Sequence, residues 1–172
     1  MNDEGTKQWY VARTRNAQAL HVRTFLQKYQ VDYFIPTILK VVERNKRRIS
    51  KEVPLIPNLV FIHTTKNHAC ALANEMGVPV FYVIDKSTRS MMVVPDKQMK
   101  NFMQVVDLSP NSVCMSELPF TQGCKVKVIK GDFAGIEGEM LGMATRTYVI
   151  IRIGDLMAAK IKVPKGYLVA VE

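Results

Sequence analysis

Three side chains sit close enough together to raise metal ligation: His63, His68 and Cys70, spaced H-x4-H-x-C. A structural zinc site needs four ligands and no fourth lies nearby. His68 and Cys70, two positions apart, would also leave a helix on different sides. No metal and no cofactor are expected. A second cluster is glycine-rich, with Gly131, Gly135 and Gly138 inside residues 128–139. It is not a phosphate loop, because no Gly-Lys-Ser/Thr follows and no helix starts there to bind phosphate. Its glycines read mechanically instead: Gly131 and Gly135 suit turns through positive φ, Phe133 an inward plug, and Gly138 a crowded strand start. G-x-S-x-G, H-E-x-x-H and paired carboxylates with a supporting His are all missing from the sequence, so an enzyme is not expected.

The remaining chemistry is cationic. Arg13, Arg15, Asn16, His21, Arg23 and Lys28 cluster near the start of the chain, and Arg44, Lys46, Arg47 and Arg48 follow. Arginine offers both phosphate contact and bidentate base contact, and a polyanion is the matching partner. The chain of 172 residues carries a net charge of +9, and residues 7–53 hold eleven Lys/Arg against three acids. Residues 43–48 read as a hairpin tip in water, whose cations touch backbone phosphate rather than bases, because a flexible tip cannot fix base-reading geometry.

Elements must position these groups. The apolar content of 48% is that of a folded chain, and no apolar run reaches the roughly 18 residues of a membrane span. The polar start shows no secretory h-region, and three cysteines without C-x-x-C spacing fit a reducing cytoplasm. Residues 8–14 alternate as a strand. Asn16 is placed to cap a helix with Val22, Phe25, Leu26 and Tyr29 at i, i+3, i+4, i+7. Residues 33–42 read as β, and Pro54 and Pro57 bend the chain before a strand at 59–63. A second helix carries Ala69, Leu72, Ala73 and Met76 and stops at Gly77. Residues 80–84 and 91–94 form a strand pair, and Pro95 opens a third helix with Met99, Phe102, Met103 and Val106. Residues 108–122 read as a linker. Five short strands then make a small β-barrel over 123–172, whose closure removes exposed edges. Glycines and the β-branched run 148–151 hold this region in β structure, with no helical alternative.

The segment Val128-Ile129-Lys130-Gly131-Asp132-Phe133-Ala134-Gly135-Ile136-Glu137-Gly138-Glu139 resembles a KOW motif. Together with Trp9-Tyr10-Val11, with Pro54-Leu55-Ile56-Pro57-Asn58-Leu59-Val60-Phe61-Ile62 and with Val94-Pro95-Asp96-Lys97-Gln98-Met99, it makes residues 8–172 similar to the NusG family. The texture is closest to specialised paralogues of the UpxY type, which act on capsular polysaccharide operons. The resemblance implies an α+β fold: an N-terminal NusG-like α/β sandwich (antiparallel sheet with three helices) over 7–107, and an SH3-like β-barrel with the KOW motif.

It also implies a monomeric, cytoplasmic transcription elongation and antitermination factor. The N-terminal domain would bind the clamp helices of RNA polymerase's largest subunit through Val11, Leu59 and Phe61 on an open surface, with His68 reaching the other large subunit. Leu59 departs from the aromatic usual in some paralogues, and of a His-Thr-Thr-Thr run only His68 matches. Upstream or non-template DNA would meet Arg13, Arg15, Asn16, His21, Arg23 and Lys28. The barrel would use Phe133, Ile136, Ile153 and Leu156 toward a ribosomal protein or Rho, although Ile153-Gly154-Asp155-Leu156 departs from the housekeeping pattern. The competing reading is a KOW-type RNA-binding or ribosome-associated protein.

Overall fold

The structure is a computed structural model that describes residues 5–110, 123–143, 146–154 and 156–171. It is mixed α/β with three helices, and it divides into two compact units, Met1–Pro95 and Asp96–Glu172. The linker expected at 108–122 lies for the most part outside the described residues.

The first unit is built on β1 (Gln8–Arg13), which pairs antiparallel with β5 (Leu59–Thr64) so that Val11 lies opposite Phe61 and Arg13 opposite Leu59. β2 (Asp32–Phe34) extends the sheet beyond β5. The other edge of β1 is shared end to end by β6 (Phe81–Tyr82) and β7 (Val93–Val94). The strand pair expected at 80–84 and 91–94 is thus chiefly a pair of neighbours of β1, joined to each other by the single bridge Ile84–Met91 and the bond from Met92 N–H to Val83 O. Alternation sorts the sheet. Ala12, Val60 and Ile62 face one way into a core with Ala19, Val22 and Leu26 of α1 (Ala19–Lys28) and Leu72 of α2 (Lys66–Asn74).

Helix starts and stops have local causes. The Thr65 hydroxyl caps α2 by accepting the His68 N–H, and Gly77 turns through a φ of +69° after it. Asn16 does not cap α1: Gln18 holds that position, while Asn16 and Ala17 make a left-handed turn with φ of 52° and 55°. Asn tolerates that region, which explains its place there better than a cap does.

Between β2 and β5 rises a separate two-stranded ribbon, β3 (Thr37–Arg44) with β4 (Arg47–Pro54). Only Asn45 and Lys46 form its turn, both at positive φ (52° and 61°), the signature of a two-residue primed hairpin turn. The expected tip at 43–48 is therefore mostly paired strand, with Glu43 opposite Arg48 and Arg44 opposite Arg47.

The second unit begins with α3 (Asp96–Leu108), whose Met99, Phe102, Val105 and Val106 are buried. Its sheet runs β11 (Met157–Lys162), β10 (Arg146–Ile153), β9 (Glu137–Met143), β8 (Lys125–Val128) and β12 (Leu168–Ala170), all antiparallel. No ladder joins β11 to β12 among the described residues. Gly131 and Gly135 have φ of 81° and 94°, as their turns require. A Cβ on Gly138 would strike the Ile150 carbonyl and the Val149 side chain, so close strand approach fixes glycine there. The inward plug is Ile136, fully buried, whereas Phe133 stays half-buried.

α3 is held to this sheet by polar contacts. The Asn101 amide donates to Glu137 O at 3.1 Å, Gln98 accepts the Gly154 N–H at 3.0 Å, and Lys97 pairs with the Glu137 carboxylate.

Candidate nucleic-acid interface

β1 ends at Arg13, and the left-handed turn after it carries Arg15 outward. Asn58, the last residue before β5, pins that turn: its side-chain oxygen accepts the Ala17 N–H at 2.7 Å and its carbonyl the Thr14 N–H at 3.0 Å. Arg13 lies in register with Phe81, and the Arg15 guanidinium sits 4.8 Å above the same ring, which is 50% exposed. A cation over an aromatic face at an exposed site is worth roughly 0.5–1 kcal/mol, weak enough for a nucleobase to compete for the ring. Phe81 was not foreseen from the sequence. Its only signal there is an aromatic in a two-residue strand, and the pairing with Arg13 that gives it meaning is long-range.

The basic side chains of α1 point two ways. His21 and Lys28, seven apart, share an exposed stripe beside the half-buried Phe25, against whose ring the His21 ring lies edge-on at 5.5 Å. Arg23 lies on the opposite side and reaches Glu52 of β4 with two hydrogen bonds, 2.9 and 2.7 Å. The guanidinium beside it, aided by Thr37, holds the Glu52 carboxyl down at about 2, and the carboxylate raises Arg23 in turn. In this structure Arg23 ties the base of the ribbon to α1, while Arg13, Arg15, His21 and Lys28 leave exposed groups.

The ribbon has two unlike faces, because directly opposed residues share a side. One face carries Leu39, Val41 and Glu43 opposite Glu52, Ser50 and Arg48. The other carries Lys40 opposite Lys51 and Arg44 opposite Arg47, with Val42 and Ile49 paired between them. Like charges placed directly opposite destabilise a ribbon.

The side chains expected to meet the polymerase clamp are covered: Val11 and Phe61 are 0% exposed and Leu59 2%. Phe61 lies with its ring centroid 6.3 Å from that of Phe34. His68 is half-buried, 3.1 Å from the Thr64 hydroxyl, while His63 stacks on Trp9 at 4.8 Å; the two histidines thus serve different neighbours. Of the four side chains expected at the barrel's partner surface, Ile136 and Ile153 are fully buried and Phe133 and Leu156 half-buried. Among the described residues no helix is long and apolar enough to cross a membrane.

Comparison with known proteins completes the picture. A solved structure described as "Domain interaction in Thermotoga maritima NusG" is similar at 17% identity and a TM-score of 0.47, covering 97% of this chain and 98% of that one. No curated protein gives a significant match. The family model "Transcription termination factor nusG" matches residues 7–103, from the opening strand through the proline-bracketed segment and into α3. That match spans more than half of the chain and takes in Trp9, Asn58 and the arginines of the β1–α1 turn; the chain belongs to the NusG family of transcription factors.

Proposed function

We propose that this protein is an elongation and antitermination factor that binds the clamp helices of RNA polymerase. It lays its basic first third along upstream duplex and the exposed non-template strand, and it keeps transcription moving through a long operon, such as one for polysaccharide biosynthesis. The family match over residues 7–103 carries this reading. Exposed Arg13 and Arg15 at the half-open Phe81 ring, together with exposed His21 and Lys28 on α1, support the DNA contact. A factor of this kind acts by binding the active, closed clamp better than the paused one, since only differential affinity shifts such an equilibrium. Each tenfold suppression of pausing corresponds to about 1.4 kcal/mol of that difference.

Polymerase contact through Val11, Leu59 and Phe61 requires that their face be uncovered, because each is buried here. The barrel recruits a second partner, a ribosomal protein or Rho, with Phe133 and Leu156 as its reachable apolar side chains. The protein works as a cytoplasmic monomer.

The test is affinity purification of the full chain followed by a pausing assay on purified polymerase. Co-purification with polymerase and shortened pauses are expected. Co-purification with ribosomal subunits alone would favour the KOW-type RNA-binding reading instead.

A further inference from the structure

The β3–β4 ribbon holds six Lys/Arg and two acids within residues 37–54, yet the register divides them unequally. Every acid lies on the Leu39/Val41 face, where Glu43 is opposite Arg48 and Glu52 is held by Arg23. The other face carries Lys40, Arg44, Arg47 and Lys51 with no acid at all. Lys46 belongs to neither face, because it sits in the turn at a φ of 61°. Since Glu52 ties the acid-bearing side to α1, the cationic side is directed away from that helix.

We propose that this cationic face binds the two backbones of a nucleic-acid duplex, with Lys40 and Arg44 on one phosphate line and Arg47 and Lys51 on the other. The proposal rests on the nucleic-acid reading above and deepens it, by replacing a generic basic tip with four named side chains in two rows. The geometry favours a duplex over a single strand. Cations four positions apart along one strand are separated by about 14 Å at roughly 3.4 Å per residue, and the two strands lie only about 4.8 Å apart. Long side chains splaying from each strand extend that width toward the roughly 12 Å of a major groove, which admits a two-stranded ribbon. A single strand would be matched by one row and would leave the other row idle. Val42 and Ile49, 38% and 46% exposed, lie between the rows, where they exclude water from the contact without adding charge. An anion between or beyond the opposed like charges would relieve their repulsion.

The test uses the full chain, a fluorescein-labelled 20-base-pair duplex, its separate strand, and anionic vesicles of phosphatidylglycerol with phosphatidylcholine. Anisotropy is read from about 50 to 300 mM salt. Each phosphate contact contributes about 0.9 to the slope of log K against log salt. Neutralising Lys40 with Lys51, or Arg44 with Arg47, to glutamine should each flatten the duplex slope by about 1.8, and all four together by about 3.6. Changing Lys46 and Arg48 to glutamine should flatten it by less than 1. Two separate pairs keep the test alive if one variant misfolds, as checked by circular dichroism.

Equal flattening by the Lys46/Arg48 variant would overturn the proposal. So would tighter binding of the single strand with one row dispensable, or binding to the vesicles without binding to the duplex. Co-purification with polymerase separates the two readings. If it persists while the duplex slope ignores the four cations, this proposal alone fails. If it is absent while the slopes respond, the duplex face stands and the polymerase role falls.

Discussion

Two antiparallel sheets in this chain use the same residue types to opposite ends. In the β8–β12 sheet the charges are matched: Arg152 makes two hydrogen bonds to Glu139 at 2.7 and 2.9 Å, and Glu137 faces both Lys97 and Lys127. Each of these carboxylates is held below its ordinary range by the cation beside it. The apolar run Val149, Ile150, Ile151 and Ile153 is buried. In the β3–β4 ribbon cation faces cation, and Leu39 and Val41 are 76% and 66% exposed. An isolated two-stranded ribbon is marginal in water, so its composition tells against a purely structural role. The first sheet pairs its own charges, whereas one face of the ribbon carries four cations with no acid among them.

The largest contrast concerns truncation. Ile151, 1% exposed and opposite Ala159, sits where removal leaves a cavity, so Ile151→Ala should cost about 2–5 kcal/mol. Val41→Ala on the open ribbon should change stability by no more than about 0.5 kcal/mol. Urea unfolding followed at amide signals of each region by NMR measures both. Similar costs at the two sites would mean that the ribbon's exposed face is covered in solution.

Part of this contrast was legible in the sequence. Period and punctuation carried the three helices, the opening strand, the bend at Pro54 and Pro57, and four of the second unit's strands, but not the short Leu168–Ala170 strand. The ribbon's faces were not legible, because they depend on where the turn falls, and a one-residue shift moves every side chain to the other side. The bond between Arg23 and Glu52 joins residues 29 apart, so Arg23 read as one more basic group on a helix. Alternation marked Leu59 and Phe61 as an apolar face but is silent on whether that face is covered. The stripe of α3 likewise shows that it packs, not on what; in the structure it belongs with the second unit, although the expected domain boundary fell after residue 107. Phe81 needed a partner 68 positions away in register to become a candidate.

A charge swap should separate stability from binding. Lys51→Glu converts a like-charged pair with Lys40 into an attractive one, stabilising the ribbon by about 0.2–1 kcal/mol. The same change should weaken duplex binding and flatten its salt slope. Thermal melts and anisotropy on one preparation measure both signs. A loss of stability together with a loss of binding would mean that Lys51 is held by a contact other than the one inferred.

The ribbon's tie to α1 should depend on pH. Glu52 is depressed to about 2 from an ordinary 4.5, so its contribution is fully present above about 4.5 and is lost as pH falls through about 2. The carboxylate side chain is 39% exposed, which limits the effect to roughly 1 kcal/mol or less. A carboxyl carbon NMR titration should find Glu52 low in the native chain and near its ordinary value in Arg23→Gln. An ordinary value in both would remove Arg23 as the anchor.

The smallest effect should come from the turn. Lys46 holds a φ of 61°, a conformation that costs a side-chain-bearing residue about 1 kcal/mol or more, while Asn45 before it tolerates the same region. Lys46→Gly makes the Asn-Gly pair that two-residue primed turns favour, relieving that strain. Glycine also gains freedom in the unfolded chain, worth roughly 0.5–1 kcal/mol in the other direction. The net should be a gain of no more than about 0.5 kcal/mol, seen as slower hydrogen exchange at the ribbon's paired amides. Because Lys46 lies outside the two cationic rows, the salt slope for duplex binding should fall by less than 1. A larger fall, with the ribbon intact by exchange, would move the contact from the face to the tip and erase the asymmetry between the ribbon's two sides.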